Sequence, residues 1–351
     1  MTELPAPADI ALDTDPHRGP PASAVMCGAA ASVLFVGGSI ARAMLRKRAA
    51  RLTAPPGVRA RDRALREPLV HVITGHDGAR LVVRELGDRR NPTVLLTHGL
   101  TNQWWLWTGV AELLADHHLV IPDVRGHGES DPGTDGMQLP ALGLDVATVL
   151  RELDLRDTTL VGYSMGGMAV LRFLVDHPGV AAERVRGVAL IATTAAVRGL
   201  GIRAGGAIRT SPWTVPTYRL QAKLPTLKPR YGEAPLWTVL LGAAAYSTHA
   251  DGAAVRDLMS MHAQSSSAIT AASVQAMAQQ DVRDRLHRVT VPTTVIVGAD
   301  DVTIAPGHSH IIADGIEGAT LVLVDGARHG IVLERPATIA GLIRDLTHHG
   351  S

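Results

Sequence analysis

The sequence predicts an α/β fold, in which a mostly parallel central sheet carries helices on both faces and an inserted helical cap. From about Leu69 onward, short apolar segments alternate with helix-length segments, which is typical of a parallel sheet covered on both sides. Residues suited to catalysis follow several of these segments, where such sheets place their active sites. Residues 195–291 interrupt the alternation with helical stretches but no obvious core strand.

The overall composition is that of a globular protein. The chain has 351 residues, of which 46% are hydrophobic and 19% are charged, and its formal net charge is +1. This length is enough to bury a large core, and the charge balance does not favour a nucleic-acid partner. Cys27 is the only cysteine, so an intrachain disulfide and a cysteine-based metal site are both excluded. We expect no metal and no cofactor.

The N-terminal segment, residues 1–66, contains a candidate membrane helix at residues 22–41. These twenty residues carry no charge and are long enough to cross a bilayer, although many of them are small. Acidic residues precede the segment and a basic linker follows it, which puts the rest of the chain on the cytoplasmic side. We therefore expect membrane association with a cytoplasmic catalytic domain. A cleaved signal peptide and a soluble cytoplasmic protein are the alternatives.

The strands and helices divide the remaining chain into a core, residues 67–194 and 292–351, and a helical cap, residues 195–291. His76-Asp77-Gly78 predicts a hairpin between the first two strands. The cap contains aromatic and methionine side chains, which either pack in its own core or line an apolar substrate pocket. The predicted strands are residues 69–73, 81–85, 93–98, 119–122, 159–162, 187–193, 293–298 and 320–324, and the predicted helices include residues 139–153, 165–177 and 307–313.

A candidate nucleophile lies in Gly162-Tyr163-Ser164-Met165-Gly166, directly after an apolar strand and at the start of a helix. A serine in a tight strand-to-helix turn projects its hydroxyl above the sheet edge. The positions two before and two after it must be glycine, because a Cβ there would collide with the neighbouring strand or helix. The alternative is a structural turn serine.

The loop His98-Gly99-Leu100-Thr101 ends an earlier strand and is a candidate oxyanion loop. Acyl transfer creates a negatively charged oxygen that needs preorganised N–H donors about 3 Å away. We expect these donors to be the amides of Leu100 and of Met165, which begins a helix. We expect His98 to make structural hydrogen bonds.

The candidate base and acid follow the last two strands. His329 lies in a loop after the final strand, from which it can reach the serine and take its proton. Asp300 and Asp301 follow the penultimate strand, and one of them can hold the imidazole in the required tautomer. We favour Asp301 and keep Asp300 as the alternative.

Two further groups of residues lie near these loops. Asp123 and Arg125 follow another strand, and we expect them to pin that loop through a hydrogen-bonded ion pair. Trp104 and Trp105, just after the oxyanion loop, and Tyr163, beside the serine, are candidate substrate-binding residues. For the tryptophans, packing of the first helix is the alternative.

From about Leu69 to its end, the chain resembles the α/β-hydrolase superfamily in its esterase, lipase and peroxidase-like branch. The resemblance implies that Ser164 is the nucleophile, Asp301 the acid and His329 the base, with oxyanion donors at Leu100 and Met165. The chain departs from the family pattern at Thr101, where many members carry proline, and at Pro306, which lies five rather than four residues after the acid. The motifs that carry it are His98-Gly99, Asp123-x-Arg125-Gly126-x-Gly128-x-Ser130, Gly162-x-Ser164-x-Gly166, Gly298-x-x-Asp301 and Gly326-x-x-His329-Gly330.

The residue at the nucleophile position narrows the reaction. Epoxide hydrolases and haloalkane dehalogenases of this fold need a carboxylate there, so Ser164 leaves acyl chemistry. The resemblance implies hydrolysis of a carboxylic ester, a small-molecule substrate that we expect to be apolar or lipid-like. Thioesterase, acyltransferase, C–C hydrolase and cofactor-free peroxidase-like activities are alternatives, as is an inactive binding or scaffold protein.

Overall fold

The computed structural model describes residues 67–197, Lys223 and residues 252–348. In the described residues, eight strands form one sheet in the order β1-β2-β4-β3-β5-β6-β7-β8. β1 and β2 form the predicted hairpin, and β2 also runs antiparallel to β4, whereas every later pair is parallel. The strands are β1 Leu69–Thr74, β2 Arg80–Leu86, β3 Thr93–Thr97, β4 His118–Pro122, β5 Thr158–Tyr163, β6 Val185–Ile191, β7 Thr293–Gly298 and β8 Thr320–Val324.

Helices follow most of these strands in the described part of the chain. Two 3₁₀ segments, Trp104–Trp107 and Arg283–Arg288, supplement them. The helices are α1 Thr108–Leu113, α2 Leu139–Glu152, α3 Met165–Asp176, α4 Pro178–Arg184, α5 Gly252–Gln264, α6 Ser267–Met277, α7 Pro306–Gly315, α8 Ile331–Glu334 and α9 Pro336–His348.

Strands β2 to β7 are mostly buried on both faces, because successive residues of a strand point to opposite sides and both sides are covered, whereas the edge strands β1 and β8 are partly exposed. On β3, Leu95 belongs to the core cluster that contains α2 and α3 side chains such as Leu150 and Phe173. Its neighbour Leu96 belongs to the opposite cluster, which contains Trp107 and the α9 residue Ile343. The predicted α/β fold, with helices on both faces of a mostly parallel sheet, is therefore confirmed.

The observed boundaries differ most from the sequence prediction at β6. This strand ends at Ile191, two residues before the predicted end, because Ala192 turns the chain with a φ of 46°. A positive φ is incompatible with an extended strand and is uncommon for any residue except glycine. Periodicity alone did not reveal this turn, since Ala192 is as apolar and as buried as the strand itself.

The predicted cap interval is described at residues 195–197, Lys223 and 252–291. Within it, α5 and α6 are helical, as expected, and Ala196 forms an isolated antiparallel bridge with Asp281. Ala271 and Val274 of α6 pack against Leu100 of the core. The cap boundaries of residues 195–291 stay a prediction.

Asp123 and Arg125 each form buried ion pairs, but they do not pair with each other. Asp123 accepts a hydrogen bond from Arg84 at 2.8 Å, and Arg125 donates to Asp145 at 2.6 Å and to Asp77 at 3.0 Å. The Arg125 and Asp123 side chains are fully buried. The loop is thus held to β2, α2 and the first hairpin rather than by an internal pair.

The candidate membrane helix at residues 22–41 lies outside the described residues, as does the basic linker that follows it. In residues 67–197 and 252–348, no helix combines the length and the apolar character needed to cross a membrane.

Candidate active site

Ser164 occupies a strained turn between β5 and α3. Its φ of 53° and ψ of −118° lie outside the regions that L-residues normally adopt, which costs about 1–3 kcal/mol. Neighbouring groups hold this conformation: the Ser164 N–H donates to the carbonyl of Ile191 at 2.9 Å, and its carbonyl accepts from Thr193 Oγ1 at 2.7 Å. The turn thereby places the serine at the carboxyl end of the sheet.

The glycines around the serine are required by close backbone approaches. A Cβ on Gly162 would lie 2.6 Å from the Cα of Gly167, and one on Gly166 would lie 2.4 Å from the carbonyl oxygen of Thr97. Both distances are well below van der Waals contact, and both involve backbone atoms. The steric reason given for the glycine spacing therefore holds in this structure.

Ser164, His329 and Asp301 are joined by hydrogen bonds. Ser164 Oγ lies 3.1 Å from His329 Nε2, and His329 Nδ1 lies 2.9 Å from Asp301 Oδ2. Because a carboxylate can only accept, Nδ1 carries the proton and Nε2 is free to accept the serine hydrogen. The geometry is that of a nucleophile, a base and a residue that orients the base.

Of the two adjacent aspartates, Asp301 is the one that faces the histidine. It is 2% exposed, and its second oxygen accepts the backbone N–H groups of Thr303 at 2.8 Å and Ile304 at 2.9 Å. Asp300 is exposed, and its own N–H donates to the carbonyl of Ala327. The acid loop is therefore fixed on both sides of the Asp301 carboxylate.

Tyr163 contacts the loop that carries His329. Its hydroxyl donates to the carbonyl of His329 at 3.0 Å, and the two rings lie 5.5 Å apart. Burial raises the pKa of the Tyr163 hydroxyl far above its ordinary value, with a smaller contribution from the negative charge of Asp301. The phenol therefore stays protonated and remains a donor. This placement favours a structural role for Tyr163 over the predicted contact with substrate.

The two predicted oxyanion amides belong to segments that adjoin Ser164. Met165 is the first residue of α3, where backbone N–H groups have no partner one turn earlier in the helix. Leu100 lies in a turn closed by the bond from Asn102 N–H to the carbonyl of Gly99 at 3.2 Å. A Cβ on Gly99 would lie 3.0 Å from the Cβ of Ser164, so this turn runs directly beside the nucleophile.

His98 makes structural hydrogen bonds, as the sequence argument expects. Its Nδ1 bonds the carbonyl of Gly99 at 2.9 Å, and its Nε2 accepts the N–H of Val124 at 3.0 Å. Complete burial lowers the pKa of His98 to about 4, so the ring is neutral at physiological pH. It ties the oxyanion loop to the loop that follows β4.

The tryptophans after the oxyanion loop pack into the protein. Trp105 is 2% exposed, lies in the same apolar cluster as Trp107, and donates its indole N–H to Gln103 at 2.9 Å. Trp104 is half-buried under the guanidinium of Arg84, 4.7 Å from its ring centre. These contacts favour the packing alternative over the predicted role of Trp104 and Trp105 in substrate binding.

Residues 92–336 match the family model described as alpha/beta hydrolase fold. The chain belongs to the alpha/beta hydrolase fold family. It is 25% identical to a non-heme chloroperoxidase of Streptomyces lividans over 280 residues, which cover 76% of this chain and 95% of that protein. It is 26% identical to 3-oxoadipate enol-lactonase 2 of Acinetobacter baylyi over 277 residues, 77% of this chain and 94% of that one.

Solved structures share the fold of this alpha/beta hydrolase. One is an esterase from Exiguobacterium antarcticum, which has 20% sequence identity and a TM-score of 0.66. The similarity covers 80% of this chain and 99% of that one.

Several residues that shape the site of this alpha/beta hydrolase were not found by sequence reasoning. Thr193 holds the backbone of the nucleophile, and Asn102 lies buried beside Gly99 with its amide nitrogen 3.9 Å from Met261 Sδ. No motif includes either residue. Their proximity to Ser164 depends on the pairing of β5 with β6 and on the docking of α5, which the sequence pattern does not specify.

Proposed function

We propose that this alpha/beta hydrolase is a serine hydrolase that cleaves carboxylic esters through an acyl-enzyme. The hydrogen-bonded chain Ser164–His329–Asp301 is the observation that carries the proposal, because it joins a nucleophile, a base and an orienting acid at the carboxyl edge of the sheet. In this proposal no metal or cofactor takes part.

The first half of the reaction acylates the serine. His329 Nε2 removes the hydroxyl proton of Ser164 as the oxygen attacks the ester carbonyl, and the carbonyl π electrons move onto oxygen. When the tetrahedral intermediate collapses, the C–O bond to the leaving alcohol breaks and His329 returns the proton to that alcohol. Asp301 stabilises the imidazolium that exists between these steps.

The second half regenerates the enzyme. Water attacks the acyl-enzyme while His329 takes one of its protons, and collapse returns the proton to Ser164 and releases a carboxylic acid. In both halves, the amides of Leu100 and Met165 donate hydrogen bonds to the negative oxygen. Each such donor is worth about 10²–10³ in kcat, because it is already oriented when the charge develops.

The ester bond is favoured over other acyl bonds by the relatives. An enol-lactone is a cyclic ester, and the enol-lactonase relative matches 77% of this chain. The apolar side chains of Leu100 and Met165, with Met277 and Ile269 of α6 packed into the same cluster, favour an apolar acyl group. We therefore propose apolar or lipid-like esters as the substrate class.

The test is a panel of p-nitrophenyl esters of increasing chain length, assayed with the purified full chain, Ser164→Ala and His329→Ala. We expect hydrolysis by the wild type, with the highest kcat/KM beyond acetate, and a loss of at least about 10³-fold in each variant. Labelling of the wild type but not of Ser164→Ala by a fluorophosphonate identifies the nucleophile. A wild type that neither hydrolyses nor reacts with the probe favours the binding or scaffold alternative.

A peroxidase-like activity is the second candidate, since the chloroperoxidase relative covers 76% of this chain. In this reaction hydrogen peroxide replaces water in the attack on the acyl-enzyme and releases a peroxy acid. It therefore uses the same Ser164, His329 and Asp301. Adding peroxide to the ester assay and measuring peroxy acid separates the two activities, whereas thiol or alcohol acceptors test thioesterase and acyltransferase activity.

Membrane association through residues 22–41 remains a prediction from the sequence. Its test is carbonate extraction of the full chain, with Leu34→Arg as the matched variant, since an arginine near the centre of a span opposes insertion by about 3 kcal/mol. Retention of the wild type in the membrane pellet and release of the variant would support a span, and release of both would contradict it.

A further inference from the structure

The turn that carries the Leu100 amide is strained. Thr101, its third residue, has a φ of 60°, a left-handed conformation that turns of this kind normally give to glycine. A β-branched residue is a genuine outlier there, and the ring of proline, which fixes φ near −65°, cannot adopt it. Within the turn, Thr101 Oγ1 donates a hydrogen bond to the carbonyl of Leu100 at 2.6 Å, and contacts from outside the turn add to this support.

Those contacts come from the predicted cap. Leu100 packs against Ala271 and Val274 of α6. The next residue, Thr101, has its carbonyl 3.1 Å from the Ser265 hydroxyl, which lies between α5 and α6. Consecutive residues of the oxyanion turn are thus bound to one helical pair.

Ser265 supplies a polar contact to the strained residue from outside the turn. Its hydroxyl reaches the carbonyl of Met261, one turn earlier on α5, at 3.0 Å, and the carbonyl of Thr101 at 3.1 Å. Holding the Thr101 carbonyl fixes the peptide that leaves the turn, while the bond from Asn102 N–H to Gly99 closes it. The Leu100 amide lies between these two fixed points.

We propose that Ser265 is a positioning residue for the oxyanion turn, so that the α5–α6 pair sets the orientation of the Leu100 amide toward the reacting carbonyl. This inference rests on the proposed serine hydrolase function. Ser265 touches neither the substrate nor the reacting atoms, and it acts through the backbone of Thr101. Its loss should therefore weaken stabilisation of the transition state more than binding of the substrate.

The experiment compares the full-length wild type with Ser265→Ala, Ser265→Thr and the control Ser260→Ala. Ser260 lies one turn earlier on α5 and bonds only to Gln264 among its described partners. We expect Ser265→Ala to lower kcat about 10- to 100-fold while KM changes by no more than about threefold. This loss of kcat is smaller than that expected from complete removal of an oxyanion donor. Ser265→Thr, which keeps the hydroxyl, should retain most of the activity, and Ser260→Ala all of it.

Two further measurements separate positioning from a general structural effect. The inhibition constant of an alkyl boronic acid, which mimics the tetrahedral intermediate, should rise by the same factor as kcat/KM falls. Hydrogen exchange of the peptide covering residues 97–104 should accelerate in Ser265→Ala but not in Ser260→Ala. An unchanged kcat and inhibition constant in Ser265→Ala would overturn the inference while the ester hydrolase function stands.

If the wild type hydrolyses no ester of the panel, the proposed function fails, and hydrogen exchange then tests only the structural part of the inference, that Ser265 restrains the turn. Faster exchange of residues 97–104 in Ser265→Ala then supports the clamp on the turn. Exchange equal to that of the wild type overturns it.

Discussion

Substitution of Gly298 tests how closely the loop that carries Asp301 and the loop that carries His329 must approach each other. Gly298 ends β7, three residues before Asp301, and it lies against the loop that leads to His329. A Cβ placed on it would be 2.3 Å from the carbonyl oxygen of Ala327 and 2.8 Å from that of Arg328. Ordinary contact needs about 3.4 Å, so Gly298→Ala must push the two loops apart by about 1 Å.

That displacement acts directly on the bond from His329 Nδ1 to Asp301 Oδ2, which is 2.9 Å long. An added 1 Å would break it and misplace Nε2 relative to Ser164. A misplacement of this size costs about 10²-fold in rate, so we expect kcat for p-nitrophenyl ester hydrolysis to fall at least 100-fold. Overpacking against backbone atoms should also lower the free energy of unfolding by about 1–3 kcal/mol.

Gly341→Ala is the matched control, because Gly341 lies in α9 and a Cβ there meets no atom within 4 Å. It should leave kcat unchanged and stabilise the helix by about 1 kcal/mol. Urea unfolding of both variants shows whether Gly298→Ala remains folded under the assay conditions. If folded Gly298→Ala retained kcat within about threefold of the wild type, the close approach of the loops would not control the alignment of the site.

Three further outcomes are expected. Asp301→Asn should lower kcat about 10³- to 10⁴-fold, because an amide can hold the wrong tautomer of His329, whereas Asp300→Asn should stay near wild type in the same ester assay. Tyr163→Phe should lower the free energy of unfolding by about 1–3 kcal/mol in urea titrations, because it leaves the His329 carbonyl without its donor. Burial lowers the pKa values of His98 and His127 to about 4, so between pH 6.5 and 4 these histidines bind protons only in the unfolded chain. Their contribution to stability is therefore complete above pH 6.5, and the free energy of unfolding should fall by roughly 2–3 kcal/mol per histidine by pH 4.5. Denaturant titrations across this range measure the change, and a flat profile would contradict it.

The sheet could be predicted from the sequence because the spacing of the apolar residues and the length of each apolar segment both indicate strands. The strand β5 has Leu160 and Val161 at its centre and is followed directly by a glycine-flanked serine, so its type, its end and its approximate place were all predictable. Strand order was not: β4 lies between β2 and β3, so the chain crosses back, and no local pattern records that crossing. The turn at Ala192 was not predictable for another reason, since Ala192 is as apolar and as buried as the strand before it.

In the candidate site, the residues that follow strand ends could be identified, but their supporting contacts could not. Asp301 and Asp300 differ by one position, and the contacts that hold the Asp301 carboxylate inward, which include the backbone N–H groups of Thr303 and Ile304, are not visible in the sequence. Substrate binding by Trp104 and Trp105 stays a prediction, because sequence position near the oxyanion loop does not specify side-chain direction. Trp105 points into the apolar cluster beneath α1.

The order of the strands also explains why the base stands five residues beyond β8. Ser164 follows β5, and β6 and β7 separate it from β8, so three strand spacings of about 4.8 Å, or roughly 14 Å, must be crossed. Five residues span at most about 18 Å, which is only slightly more than this lateral distance. If the loop after Val324 ran straight out of the sheet, His329 would therefore lie far from Ser164. The loop instead turns back across the strand ends, where Gly298 allows it to contact the acid loop and Tyr163 holds its carbonyl. The contacts of Gly298 and Tyr163 thus help to hold the loop in the position from which His329 reaches Ser164.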